Sequence, residues 1–454
     1  MRGRKRIVSS TPFEIPVRKP KRQPLIWWMV AALTTTVFLI AGLWWRATYS
    51  GQRQVSVETP VYSASKPVTI DPSQHSTIVE SSPPVTMASE EALALIRQTN
   101  AAYNGPVGPI VMQTYRYSMV DSRGAKTAVF ARVYLPATGY DLPIFGFGPG
   151  TTGIDDQCAP SLEVPAKRNF ANYASHMTSY AANGYAAVVT DYEGMRDPSR
   201  LHHYMHGDLE GRSILDAVMA LNQLGLTKNR VNLKKVILGG YSQGGHAALW
   251  ADQLASSYTP SLSVQGVVGF GAVIDVAQTL TDTTRGANIL WFGPYVLRSY
   301  QEWYRESYGV PTILKTPFAE NLVSDVAKNC IDTNIAHWGN RDLTKVYTTQ
   351  FIAAMRGNTL SSFVPSLSKR LDENLAGTVK TSAPKLLNHG RLDNVVLPSQ
   401  SEAALTRMCA IGQVVSYVPY AEANHYTTMV RSQPDTLIWM KAILAGKTVP
   451  TSCR

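Results

Sequence analysis

Short apolar runs alternate with longer mixed stretches along most of the chain. "LPIFGFG", "YAAVVTDY", "KKVILGG", "VQGVVGFGAV", "PKLLNHG" and "QVVSYVPY" are each nearly continuous in apolar residues, and helical stretches separate them. Continuous apolar strands separated by helices predict a parallel sheet buried on both faces. Ahead of them, "GPIVMQTYRYSMV" and "KTAVFARVYLPA" flank the turn signal "DSRG" and predict an antiparallel pair. "SEEALALIRQTNAAY" predicts a helix before that pair, with Ser89 placed to cap it and Glu90 and Glu91 in its first turn. The pattern is that of an α/β fold, a mostly parallel sheet with helices on both faces.

The alternation breaks once. Between the strands at Val264–Ile274 and Lys385–His389, "YVLRSYQEWYRESYGV", "FAENLVSDVAKNCI" and "TTQFIAAMRGN" read as apolar and aromatic helices with no strand among them. An insertion of this size, about 276–383, is expected to cap the C-terminal edge of the sheet, where such folds bind ligands.

A different pattern holds at the N-terminus. "PLIWWMVAALTTTVFLIAGLWW", Pro24 to Trp45, carries no charge, has tryptophans near both ends and is long enough to cross a hydrocarbon core as a helix. The expectation is a basic cytoplasmic tail over 1–23, a transmembrane signal-anchor over 24–45, a Ser/Thr/Pro-rich linker over 46–88 and an exported domain over 89–454. A cleaved signal peptide is the alternative reading, and it also exports the domain.

Charge changes the picture little. The net charge is +11, but Arg2, Arg4, Lys5, Arg6, Arg18, Lys19, Lys21 and Arg22 against Glu14 place +7 of it in the tail. The +4 left over the rest is too diffuse for a nucleic-acid groove, and no nucleic-acid-binding motif is present. The four cysteines, Cys158, Cys330, Cys409 and Cys453, suit two disulfides in an oxidising compartment. Spacing leaves all three pairings open. No CxxC or Cys/His cluster suggests a metal.

The candidate chemistry sits where "KKVILGG" meets the helix "GHAALWADQLA". Gly240-Tyr241-Ser242-Gln243-Gly244 is a G-x-S-x-G turn between an apolar strand and a helix. A turn this sharp needs glycine two positions either side, and it lifts a serine hydroxyl clear of the sheet. A serine hydroxyl needs a base, and the base an orienting carboxylate, in the order Ser, Asp or Glu, His. Asp393 lies in the loop after "PKLLNHG", and His425 in the loop after "VVSYVPY". Glu422 is a rival acid set too close to His425 in sequence. His389, Asn394 and Asn424 read as loop hydrogen-bonding groups and His246 as packing. For the oxyanion, the backbone N–H of Gln243 is one candidate donor, and the loop Pro149-Gly150-Thr151-Thr152-Gly153 supplies the other. Pro149 has no N–H, which leaves Thr151 or Thr152.

With "GTTGIDDQCAPS", "TDYEG", "EGRSILDAV" and "GYSQGGHAALWA" followed by Asp393 and His425, the chain from about Ser89 to Cys453 resembles the secretory lipases of the Candida antarctica lipase A type, within the α/β-hydrolase superfamily. The resemblance implies Ser242 as nucleophile, Asp393 as acid and His425 as base, with Thr152 beside Gln243 at the oxyanion. It also implies the pairing Cys158–Cys330, leaving Cys409–Cys453, and a helical cap that shapes an acyl tunnel. Asp191, Glu193 and Asp216 of the shared motifs read as scaffold. The chain departs from the family at Pro149, where many bacterial relatives carry His, and in its anchor and linker. The expected function is hydrolysis of a lipid or small carboxylic ester without a cofactor. An envelope acyltransferase using the same triad and a catalytically silent ligand-binding protein are the alternatives.

Overall fold

The computed structural model describes residues 75–164, 171–327, 330–339 and 342–453. The expected anchor at Pro24–Trp45 lies outside them; among the described residues no helix is long and apolar enough to cross a membrane.

Ten strands make one sheet. In chain order they are β1 (Ile78–Ser81), β2 (Val85–Met87), β3 (Ile110–Val120), β4 (Lys126–Pro136), β5 (Leu142–Gly148), β6 (Ala186–Thr190), β7 (Val231–Tyr241), β8 (Val264–Phe270), β9 (Lys385–Gly390) and β10 (Val415–Tyr420). Across the sheet the order is β1-β3-β4-β6-β5-β7-β8-β9-β10, with β2 also on β3. Every pairing from β6 to β10 is parallel. The strands on the other side pair antiparallel. The apolar runs account for the division: β6 and β9 are buried at every residue, as strands covered on both faces must be, whereas β3 alternates buried and half-buried positions.

The helices flanking the sheet are α1 (Ser89–Arg97), α2 (Tyr173–Ala182), α3 (Gly207–Ala220) and α4 (Gln243–Tyr258). The predicted insertion contains α5 (Val276–Thr284), α6 (Phe292–Tyr304), α7 (Val310–Ile313), α8 (Leu322–Ala327), α9 (Ile331–Gly339), α10 (Leu343–Val346), α11 (Thr349–Arg356), α12 (Leu360–Phe363) and α13 (Pro365–Glu373). After it come α14 (Ser399–Ala410) and α15 (Thr428–Leu444). Apolar residues of α3, α4 and α14 pack on one face of the sheet, and those of α1, α2 and α15 on the other. The insertion has an apolar cluster of its own, including Phe292, Tyr295, Tyr300 and Trp338.

The sheet starts earlier than the apolar pattern indicates. β1 and β2 fall within the stretch read as linker, and both add to β3. Their side chains are mostly exposed, so no hydrophobic period marks them. Backbone pairing and a buried polar anchor hold them instead: His75 Nδ1 lies 2.6 Å from Asp216 Oδ1, and Ser76 donates to the same oxygen at 2.5 Å. Helix α1 also differs from expectation. It ends at Arg97, and Ala88 rather than Ser89 precedes its first turn, with the Ala88 N–H donating to Glu91 Oε2 at 2.9 Å.

Both disulfides take the pairing the family resemblance implied. Cys158–Cys330 joins the loop after β5 to the residue before α9, and Cys409–Cys453 joins α14 to the C-terminal segment.

Candidate active site

Strand β7 ends at Tyr241 and helix α4 begins at Gln243, so one residue makes the turn. Ser242 makes it at φ +55° and ψ −116°, a left-handed conformation that costs a non-glycine residue on the order of 1–3 kcal/mol. Neighbouring backbone holds it there. The Ser242 N–H donates to Phe270 O at 3.0 Å, and its carbonyl accepts from Gly245 at 3.0 Å and Val273 at 3.1 Å.

His425, in the loop between β10 and α15, sets Nε2 3.1 Å from Ser242 Oγ across a separation of 183 residues. Its Nδ1 lies 2.7 Å from Asp393 Oδ2. The other oxygen of Asp393 accepts the Val395 and Val396 N–H groups, both at 2.9 Å. Burial works against this carboxylate, yet the charge of His425 and hydrogen bonds from His389 and His425 hold it down at about 2. It is therefore ionised at any working pH and can stabilise a positive imidazole. All three side chains are buried, whereas Glu422 is exposed to solvent. His389 sits beside the pair, with Nδ1 2.8 Å from Ser401 Oγ and Nε2 2.9 Å from Val396 O. His246 points into the protein, 3.0 Å from Glu210 and 2.7 Å from Asn374 O.

The loop after β5 faces the turn. Gln243 is the first residue of α4, where a backbone N–H has no acceptor within the helix. In the loop, the Gly150 N–H already donates to the Tyr173 hydroxyl at 2.7 Å. Thr151 Oγ1 lies 2.8 Å from Tyr204 OH. Thr152 differs: it is buried, and its hydroxyl has no hydrogen-bond partner among the described residues. Its carbonyl accepts the Ile331 N–H at 2.8 Å, and Gly153 pairs with Cys330, so the disulfide fastens this loop to the helical insertion.

Several contributors escaped the sequence reading. Gly271 has φ +51°, and an added Cβ there would lie 3.2 Å from Asp393 Oδ2 and 3.3 Å from His425 Nδ1. A glycine directly after the apolar run "VVGF" was the only signal. Tyr173 and Tyr192 grip the loop from below, Tyr192 donating to Pro149 O at 2.7 Å, and nothing in their spacing announced it. Asp191, Glu193 and Asp216 are occupied with scaffold. Asp191 accepts from Ser161 N–H and Oγ, Glu193 meets Arg200 and His203, and Asp216 meets His75, Ser76 and Tyr258. Among the described residues, no group of three or more His, Cys, Asp or Glu could hold a metal ion.

A family model described as "Secretory lipase" matches residues 174–451, more than half of the chain. Lipase 10 of Candida albicans is 23% identical over 394 residues, which span 82% of this chain and 82% of that one. A secreted triacylglycerol lipase of Malassezia globosa is 27% identical over 318 residues, 66% of this chain and 64% of its own. Among solved structures, the rice cell wall degrading esterase LipA of Xanthomonas oryzae superposes with a TM-score of 0.66 at 18% identity, over 82% of this chain and 97% of that one. Candida antarctica lipase A in its closed state gives 0.62 at 18% identity, over 83% and 84%. At these identities the two structures speak for the α/β-hydrolase fold.

Proposed function

The chain belongs to the secretory lipase family, and from that membership we propose that it hydrolyses carboxylic esters with Ser242, His425 and Asp393 through an acyl-enzyme. Ser242 Oγ attacks the acyl carbonyl as His425 Nε2 takes its proton. The carbonyl oxygen becomes an oxyanion, received by the Gln243 N–H and by Thr152. His425 then returns the proton to the departing alcohol oxygen. A water molecule, deprotonated by the same nitrogen, releases the acid and restores Ser242. Asp393 keeps Nδ1 protonated and Nε2 aimed at the serine throughout.

The observation that carries the proposal is the unbroken chain of contacts, 3.1 Å from serine to imidazole and 2.7 Å from imidazole to carboxylate. The unpartnered buried hydroxyl of Thr152 supports its place at the oxyanion, since a buried donor without an acceptor is costly until a ligand supplies one. Relatives described as secreted triacylglycerol lipases favour a lipid ester. Two disulfides and those secreted relatives favour a domain working outside the cytoplasm; the uncharged run 24–45 behind a basic tail is the sole support for a tether to the envelope.

p-Nitrophenyl esters of increasing acyl length test the reaction class. Turnover with release of the free acid is expected, rising with chain length as far as the cap accommodates the chain. An added alcohol should take only a minor share of the acyl group. A new ester as the dominant product would make the protein a transferase, and no turnover at any length would remove the proposal.

A further inference from the structure

Gln243 has two ends in the site. Its backbone N–H opens the helix behind the nucleophile, while its side chain runs the other way and is fully buried. There Nε2 donates to Glu210 Oε1 at 2.7 Å and lies 2.9 Å from His202 Nε2. An amide group has two N–H bonds, so both contacts form at once. Burial lowers His202 to about 4, which keeps it neutral near neutral pH. Its Nδ1, 3.1 Å from the Glu193 carbonyl oxygen, carries the hydrogen, which leaves Nε2 to accept from Gln243.

Glu210, wholly buried in the first turn of α3, gathers three partners. Its Oε1 also accepts the Met205 N–H at 2.8 Å, and its Oε2 lies 3.0 Å from His246 Nδ1. His246 stands one turn beyond Ser242 on α4, so the carboxylate grips that helix at two points, residues 243 and 246. The same stretch of chain braces the opposite side of the site. The Tyr192 ring stacks on His202 at 5.2 Å between centroids while its hydroxyl holds Pro149 O, and Tyr204 OH meets Thr151 Oγ1 at 2.8 Å.

We infer that Glu210 is a positioning residue for the oxyanion hole, acting through the side chain of Gln243. The G-x-S-x-G pattern leaves the residue after the serine free, and here that residue is tied to a buried carboxylate. An oxyanion donor works only when held within a few tenths of an ångström, and the first turn of a helix is where a helix gives most easily. The inference rests on the reading of Ser242 as nucleophile and Gln243 N–H as donor.

A double-mutant cycle tests it, using Glu210→Gln, Gln243→Ala and the pair on a p-nitrophenyl ester, with thermal unfolding followed alongside. Gln243→Ala keeps the backbone N–H and removes the side-chain bonds to Glu210 and His202. Each single variant is expected to lower kcat about tenfold with KM held within about twofold, a fraction of what losing an oxyanion donor outright does. The double variant should lose no more than the worse single, because both cut one linkage. Unchanged kcat in Gln243→Ala would overturn the inference. So would losses that add in the double variant and track the fall in melting temperature, as a general packing defect would produce. If Glu210→Gln does not fold, Gln243→Ala alone still decides. Ser242→Ala run beside them separates the layers: activity surviving in it refutes the nucleophile, whereas activity lost in it but unchanged in the other variants refutes only the role of Glu210.

Discussion

Ser242→Ala is expected to lower kcat by about a millionfold, with His425→Ala close behind and the double variant no worse than either alone. The reason is that the two groups act as one. Without the imidazole, the hydroxyl 3.1 Å away keeps its proton and is a weak nucleophile; without the hydroxyl, the imidazole has no proton to take. Asp393→Asn should cost less, about ten-thousandfold, because an amide presents the wrong hydrogen-bonding group to Nδ1 and favours the wrong tautomer without removing the base. Its effect on kcat should greatly exceed its effect on KM, since Asp393 bonds to His425 and to the backbone of its own loop. Initial rates on one p-nitrophenyl ester, with circular dichroism to verify folding, check all four variants. Additive losses in the double variant would mean that the two residues do not form a unit.

The second large effect lies in the glycines of the turn. A Cβ on Gly240 would sit 1.8 Å from the carbonyl oxygen of Gly244, and one on Gly244 would sit 1.8 Å from that of Gly148. Both clashes are with backbone, which has no rotamer to escape into. Relief would mean pulling α4 off β7 or opening β5 from α4, and these elements form the centre of the fold. Gly240→Ala and Gly244→Ala should each destabilise the protein by more than about 4 kcal/mol, enough to take folding and activity away together. Gly108→Ala is the control: nothing lies within 4 Å of its added Cβ, and it should match the wild type in soluble yield and melting temperature. If Gly244→Ala is obtained folded and active, the turn does not have the geometry described.

Why the convergence of Ser242, His425 and Asp393 could be read from the chain, and the rest less well, follows from what each signal depends on. The parallel strands are buried on both faces, so their apolar runs are written locally in the residues themselves. The turn needs two glycines and a serine within five residues, and Asp393 and His425 each follow an apolar strand. Long-range features left no such local mark. β1 and β2 are held by pairing to β3 and by His75 and Ser76 on Asp216, 141 and 140 residues away. The loop after β5 is gripped by Tyr173, Tyr192 and Tyr204, aromatic residues in a chain with 22 tyrosines. Four cysteines admitted three pairings, and only likeness to a family favoured the one found. Ser89 looked like a cap because serine often is one, but the chain turns into helix one residue earlier, and Glu91 reaches back to the Ala88 N–H instead.

Covalent capture of the nucleophile tests the central claim most directly. A fluorophosphonate forms a phosphorus–oxygen bond with an activated serine and expels fluoride, so only a hydroxyl with its base in place reacts quickly. Peptide mass spectrometry after treatment should find one adduct, on the peptide carrying Ser242, formed in step with the loss of esterase activity. Labelling should vanish in Ser242→Ala and slow sharply in His425→Ala. An adduct on another residue, or full esterase activity once Ser242 is blocked, would contradict the account.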